Sequence, residues 1–592
     1  MKLSPLSSIS LSIQTFKLLP KDQYAKAVRN FCFSVILAIF EVLSLAVIFP
    51  LLQFLIADVE SSPSSFVLKN LEFSTETFHW TTLLTIIVCL YIFKNSFALW
   101  QMHSQSQFLD ELYVKFAHRI YQRFYQQSWT DYTKENSAES FRKIKNTAYE
   151  FTHNVLYSYL TLLPEALICI LMVGVIIWID YRILFILALL FLPTLIFYSF
   201  FRKKVISKID TSFRELTPQA NIILSQGIDG FAEARIYQKE NYFIKHFISI
   251  SKITTKQLSR LKTFINLPSR LVETVSILCF AGIIIYGKFF PETKQSLLIF
   301  LVMLSIVIYR ILPSLNKIFV NLSQIQAYAY AVSELKEILG NTVSECKGAT
   351  QIITFQEKLE LKSISFQYEH KSKTYLLKDL SIKIRKGDFI VLEGPSGTGK
   401  TTFIHVLAGL IDNYDGQLLI DNVLLTKDNL PAWQSKLGFV PQAPVILQDT
   451  IARNIAFGVE DEEILFNKVN DVLDLAGMAD VVKSLPHKLN TPVGENGLTL
   501  SGGQRQRLVL ARALYRDSEV LLLDEVTNQL DEENKLVVLK NLQRLAQAGK
   551  TILLVSHDPI ARNYGTRIFQ MNDKTLIETP LVQSTLSGPV NF

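Results

Sequence analysis

At 592 residues the chain is too long for one hydrophobic core and long enough for two large units of different character. With 49% hydrophobic residues, 11% aromatics and a positive mean hydropathy it is more apolar than an ordinary soluble protein. The net charge of +7 does not mark a nucleic-acid partner. In the apolar half much of the basic charge lies between long apolar runs, which is the distribution of a membrane topology.

The first 28 residues mix Lys17, Lys21 and Lys26 with apolar residues and Pro20, and no small-residue cleavage site follows a compact apolar stretch. They read as an interfacial helix leading into a membrane domain at 29–325. A bilayer core needs about 20 apolar residues per helix. Six stretches qualify: 30–57, 80–102, 156–179, 183–201, 269–290 and 296–320. The connections after the second and fourth spans are long, whereas only Asp180, Tyr181 and Arg182 separate the third from the fourth.

The segment 58–78 holds Lys69 against Asp58, Glu60, Glu72 and Glu76, while 103–154 holds Lys115, Arg119, Arg123, Lys134, Arg142, Lys143 and Lys145. The long connections and both termini are therefore expected in the cytoplasm. Their helical periodicity predicts that the spans continue as helices, with turns near Asn136–Phe141 and Pro218–Leu224 that would meet a cytoplasmic motor. Glu41, Lys94, Glu165, Glu273 and Arg310 lie within or near span ends. Each should face a partner, the interface or a hydrated cavity, since a charge in hydrocarbon is costly. The cysteines Cys32, Cys89, Cys169, Cys279 and Cys346 show no metal-ligand spacing and read as small buried hydrophobes.

After a linker at 326–356, the pattern changes at 357–580 to the short strands and turns of a soluble α/β domain, followed by a tail at 581–592. Phe389-Ile390-Val391-Leu392-Glu393 reads as a buried strand. It runs directly into Gly394, Pro395, Ser396, Gly397, Thr398, Gly399, Lys400, Thr401 and Thr402, and then an apolar helix. This is a P-loop in its required strand–loop–helix setting. Its glycines let backbone N–H groups wrap phosphates, Lys400 neutralises β/γ charge, and Thr401 can ligate Mg²⁺.

Downstream, Val520-Leu521-Leu522-Leu523 ends in Asp524, placed to hold Mg²⁺, and Glu525, placed to orient or deprotonate the attacking water. A further strand at 551–555 delivers Ser556 and His557, and His557 can hydrogen-bond the γ-phosphate. ATP and Mg²⁺ are the cofactors this pattern calls for.

Leu500-Ser501-Gly502-Gly503-Gln504-Arg505-Gln506-Arg507 resembles the signature of ATP-binding-cassette (ABC) proteins. The resemblance implies that Ser501, Gly502, Gly503 and Gln504 close on nucleotide held by another P-loop. Tyr368 is similar to the aromatic that stacks on adenine, and Gln442 to the glutamine that senses Mg²⁺ and contacts the membrane domain. Val493-Gly494-Glu495-Asn496-Gly497 resembles a loop of exporters, which implies that Glu495 touches the cytoplasmic helices. Asn528-Gln529-Leu530-Asp531 departs from the family's usual Ser-Ala-Leu-Asp.

The implied architecture is a six-helix membrane domain of exporter type followed by an ABC-type P-loop domain. One chain is then a half-transporter, working as a homodimer or heterodimer in a bacterial cytoplasmic membrane. Three membrane features resemble bacterial flippases of lipid-linked oligosaccharides: Glu41 with Pro50, Pro268-Ser269-Arg270-Leu271-Val272-Glu273, and Tyr309-Arg310-Ile311-Leu312-Pro313-Ser314. Arg310 could take a lipid-borne pyrophosphate, with Glu41 and Glu273 as further substrate-site candidates. The expected function is ATP-driven export or flipping of an amphipathic or lipid-linked substrate. A peptide, bacteriocin or drug exporter of the same architecture is the alternative, and the spans exclude a soluble cassette ATPase.

Overall fold

In the computed structural model the described residues are 5–56, 80–135, 137–179, 193, 196, 216, 219–289, 294–340, 353–368, 375–494, 497 and 499–580. The chain divides into two compact units, one of residues 1–126 and 135–342, the other of residues 127–134 and 343–592.

The first unit is helical. Helix α1 (Pro5–Lys17) precedes two long helices, α2 (Tyr24–Ile56) and α3 (Trp80–Gln126). Among the described residues, three stretches are long and apolar enough to cross a membrane: Lys21–Ser44, Leu84–Gln126 and Glu150–Gly174. They fall on the first three expected spans. The fourth span, at 183–201, lies outside the described residues except for Pro193 and Ile196, so the six-span count rests on sequence. The fifth and sixth fall within longer helices given below.

The turns differ from expectation. Helix α3 stops at Gln126, and a short helix α4 (Trp129–Lys134) follows before α5 (Ser137–Arg142), so the chain first breaks ahead of Asn136–Phe141 and again at Glu135, while Asn136 lies outside the described residues. Ser128 causes the stop: its hydroxyl accepts from the Asp131 N–H at 3.1 Å, an N-cap that starts a new helix. The second turn comes after Pro218–Leu224, because residues 219–229 are helical and the chain bends at Gly230 before α7, described below. Cys32 on α2 and Cys89 on α3, expected to be buried, are exposed on the helix surfaces.

Helix α6 (Tyr157–Ile179) runs through Pro164. After Gly230 come α7 (Phe231–Ile236), α8 (Glu240–Phe289), α9 (Lys294–Ala327) and α10 (Ala329–Gly340). Pro313 lies inside α9, which continues past it. Leu112 and Phe116 of α3, Phe151 and Val155 before α6, and Val332 and Leu335 of α10 form a buried core with Leu19. Phe116 meets Phe151 edge-on at 5.1 Å.

The second unit is an α/β domain. A four-stranded antiparallel sheet holds β1 (Lys358–Phe366), β2 (Leu377–Arg385), β4 (Asp415–Ile420) and β5 (Val423–Leu424), in the order β2-β1-β4-β5. The main sheet has β3 (Phe389–Glu393), β6 (Leu437–Val440), β7 (Val520–Asp524), β8 (Thr551–Val555), β9 (Arg567–Asn572) and β10 (Thr575–Thr579), ordered β10-β9-β3-β8-β7-β6. Strands β9, β3, β8, β7 and β6 are parallel neighbours, and β10 pairs antiparallel to β9.

Every residue of β3, β7 and β8 is buried, as continuous apolar runs in a covered parallel sheet should be. The pleat divides them between two cores. Phe389, Val391, Leu521, Leu523, Ile552 and Leu554 face the helical side, whereas Ile390, Leu392, Val520, Leu522, Leu553 and Val555 face the antiparallel sheet. Each such buried side chain contributes about 1.5–3 kcal/mol. The helices, in chain order, are α11 (Lys400–Leu407), α12 (Leu430–Gln434), α13 (Ile451–Ile455), α14 (Phe466–Leu475), α15 (Ala479–Ser484), α16 (Gly502–Tyr515) and α17 (Glu532–Gln547).

Helix α4 belongs to this second unit although its flanks belong to the first. Trp129 packs against its apolar core and meets His405 of α11 edge-on at 4.8 Å.

Candidate nucleotide site and a membrane charge cluster

Four parallel strands end at one edge of the main sheet, each carrying a polar residue just beyond its apolar run. Strand β3 leads to the P-loop, β7 ends in Asp524 with Glu525 next, β8 leads to His557, and β6 to Gln442. This is the edge at which open α/β sheets bind ligands. Gly394 turns the chain at φ +148°, and a Cβ there would stand 2.4 Å from the Met571 carbonyl oxygen, so only glycine fits.

Lys400 is buried, and its Nζ donates to the carbonyl oxygens of Gly394 at 2.7 Å and Pro395 at 2.8 Å. Burial lowers the pKa of this ammonium from the usual lysine value, against the opposing pull of Glu525 and Asp524. A buried cation satisfied only by carbonyl oxygens, beside two carboxylates, fits a polyphosphate.

Asp524 is also buried, and burial raises its carboxyl above the usual aspartate value, opposed by a hydrogen bond with Thr401. A desolvated carboxylate paired with a threonine hydroxyl is a hard-oxygen donor set that suits Mg²⁺.

Glu525 adopts φ +56°, a left-handed conformation costly for a non-glycine residue and typical of functional sites. Its N–H donates to the Val555 carbonyl at 3.1 Å, tying β7 to β8. Three side chains converge on its carboxylate. Gln442 Nε2 and Asn528 Nδ2 each donate to Oε2 at 2.9 Å, and His557 Nε2 lies 3.3 Å from Oε1. The sequence pointed to Glu525 and His557 by position and to Gln442 by resemblance. Asn528 stood out only as a departure from the family pattern, without a role.

Ser501 caps α16: its hydroxyl accepts from the Gln504 N–H at 3.3 Å, while Gln504 Oε1 accepts from the Ser501 N–H at 2.9 Å. The Gln504 side chain is therefore engaged in this reciprocal cap. A Cβ on Gly502 would lie 2.3 Å from Gln529 Oε1, so the signature glycine makes room for the second unusual residue of the following loop. Gln506, which sequence reasoning did not single out, donates from Nε2 to the Glu525 carbonyl at 3.3 Å and accepts from the Gln529 N–H at 3.3 Å. Tyr368 lies beyond β1, partly exposed and edge-on to Phe366 at 5.0 Å. Glu495 lies outside the described residues.

In the helical unit Glu41 of α2 accepts from Lys94 Nζ of α3 at 3.2 Å and lies 3.4 Å from Arg310 Nη2 of α9. Lys94 is buried and its ammonium stands 4.5 Å from the centre of the Tyr91 ring. Two cations thus share one carboxylate within the span segments. Glu273 is not brought to this cluster: it pairs with Arg270 at 3.0 Å on an exposed face of α8. Glu165 pairs with Lys317.

The fold is that of an ABC exporter, a helical unit that carries apolar spans followed by an α/β domain with the motifs of a nucleotide site. Residues 377–528 match the family model described as ABC transporter. Curated relatives include an ATP-dependent lipid A-core flippase of Burkholderia orbicola, 28% identical over 71% of this chain and 70% of its own length. Another of the same description, from Syntrophus aciditrophicus, is 26% identical over 85% of this chain and 84% of its own length. A third, from Cupriavidus pinatubonensis, is 35% identical over 37% of each chain. A solved structure described as a bacterial Atm1-family ABC exporter with ATP bound superposes with TM-score 0.76 at 19% identity, covering 94% of this chain and 95% of that one.

Proposed function

We propose that this chain is one half of a dimeric flippase that uses ATP to move an anionic, lipid-linked amphiphile, such as a lipid-linked oligosaccharide, across a bacterial cytoplasmic membrane. The observation that carries the substrate reading is the sharing of Glu41 by Lys94 and Arg310, which among the described residues leaves one positive charge in excess. Uncompensated charge among apolar helices calls for an anionic partner. A guanidinium suits the phosphate or pyrophosphate of a lipid carrier. The relatives named as lipid A-core flippases support a lipid-borne cargo. Glu273, exposed beside Arg270, has the weaker claim to contact it.

At the nucleotide site, Gly394–Thr402 cradle the phosphates and Lys400 leaves its carbonyl partners for the β/γ oxygens. Tyr368 stacks on adenine. Thr401, Asp524 and Gln442 hold Mg²⁺, which supplies charge neutralisation at the phosphates when bound. Glu525 orients the attacking water and accepts its proton, and His557 donates to the γ-phosphate.

Ser501, Gly502, Gly503 and Gln504 complete the site of a second chain. Support for a partner comes from α7 and its flanks: Phe231, Ile236 and Tyr237 are 70%, 76% and 70% exposed. An exposed apolar turn of this kind suits burial against a second copy of the chain.

The test is reconstitution in liposomes carrying a labelled lipid-linked pyrophosphate oligosaccharide, with leaflet exposure followed after ATP addition. Arg310→Ala should lower flipping at least about tenfold while basal ATPase persists. Loss of both activities in parallel, or of neither, would contradict the substrate role.

A further inference from the structure

The loop after β7 carries a donor whose role differs from those of its neighbours. Asn528 lies three residues beyond Glu525. Its Nδ2 donates to Glu525 Oε2 at 2.9 Å, and its backbone N–H donates to the Glu525 carbonyl at 3.2 Å. The loop is held beyond it as well. The Gln529 N–H is taken by Gln506 Oε1 at 3.3 Å, and Gln506 Nε2 reaches the Glu525 carbonyl at 3.3 Å. The Gln529 side chain occupies the space that Gly502 leaves free. An amide mounted on so constrained a loop can direct the carboxylate rather than follow it.

Of the three donors to Glu525, Gln442 and His557 have duties toward Mg²⁺ and the γ-phosphate in the function proposed above, on which this inference rests. If both turn to the nucleotide, Asn528 alone remains on the carboxylate. The serine usual in the family places its hydroxyl one bond nearer the backbone than the Asn528 amide nitrogen. The asparagine therefore supplies reach as well as a donor. We propose that Asn528 is a positioning residue that keeps the Glu525 carboxylate aimed at the attacking water throughout the hydrolytic step.

The experiment compares full-length wild type with Asn528→Ala and Asn528→Asp, the second keeping the shape while removing the donor and adding repulsion. Steady-state ATPase should show kcat lowered about tenfold in Asn528→Ala and further in Asn528→Asp, with KM for ATP changed less than about twofold. Asn528→Asp retaining wild-type kcat would reduce the residue to a spacer and overturn the proposal. A raised kcat in either variant would make Asn528 a restraint and overturn it equally. Should Asn528→Ala fail to fold, the near-isosteric aspartate variant carries the test.

A Glu525→Gln control separates the two readings. Normal turnover in that variant would remove the basis of both. Loss of turnover there, beside an unaffected Asn528→Asp, would refute the positioning role alone. In the Glu525→Gln background, Asn528→Ala should lower residual turnover less than twofold, because nothing remains to aim; a further tenfold fall would contradict the proposal.

Discussion

Gln442 Nε2 stands 2.9 Å from Glu525 Oε2, although 83 residues separate them. Strand register produces the meeting: Val440 of β6 pairs with Leu523 of β7, and each polar residue lies two positions beyond its strand partner. A group at the edge of one strand is thereby coupled to a carboxylate at the edge of the next. This arrangement predicts that Glu525→Gln keeps ATP binding while hydrolysis falls at least about 100-fold. Phosphate release and size-exclusion of the ATP-bound protein would check it, with a stable closed dimer expected.

Lys400 presents a separable prediction. Its buried ammonium is held by the Gly394 and Pro395 carbonyls, and Lys400→Met removes the charge while keeping a similar volume. Nucleotide affinity should drop about tenfold or more, in contrast to Glu525→Gln. Equilibrium binding of a fluorescent ATP analogue distinguishes the two.

Much of this site was legible because each motif is local. A buried strand, a glycine loop and a helix start announce the P-loop, and an apolar strand ending in Asp524-Glu525 announces the second half. What could not be read depends on side-chain direction. The φ of +56° at Glu525 brings its carboxylate to Asn528, and no periodicity encodes that. In the membrane half each charge was visible, but the sharing of Glu41 by Lys94 and Arg310 depends on how α2, α3 and α9 pack. The turn at Ser128 was missed because a single capping serine resembles any polar residue on a helix surface.

That turn leads to a coupling test. Trp129 packs edge-on to His405, and such pairs contribute about 0.5–1.5 kcal/mol beyond their buried area. Trp129→Ala should leave ATP binding intact and lower the transport achieved per ATP hydrolysed several-fold. A parallel loss of ATPase and transport would instead mean that the tryptophan supports the nucleotide site itself.

His405 also carries a pH prediction. Burial lowers its pKa below the ordinary 6.5, so the folded chain holds the ring neutral where the unfolded chain begins to take up a proton. Its contribution is therefore full above 6.5 and is lost as pH falls from 6.5 toward the folded value. The slope for one proton is at most about 1.4 kcal/mol per pH unit. Thermal unfolding between pH 5.5 and 7.5 should show a shallower acid loss in His405→Phe than in wild type.

The most direct test of the account is ATP-dependent movement of a lipid-linked pyrophosphate oligosaccharide in liposomes containing only this protein. Labelled lipid should change leaflets with ATP in the wild type, and movement should cease in Glu525→Gln. Movement that persists without ATP, or equally in Glu525→Gln, would contradict it, as would wild-type ATP hydrolysis that leaves the lipid where it began.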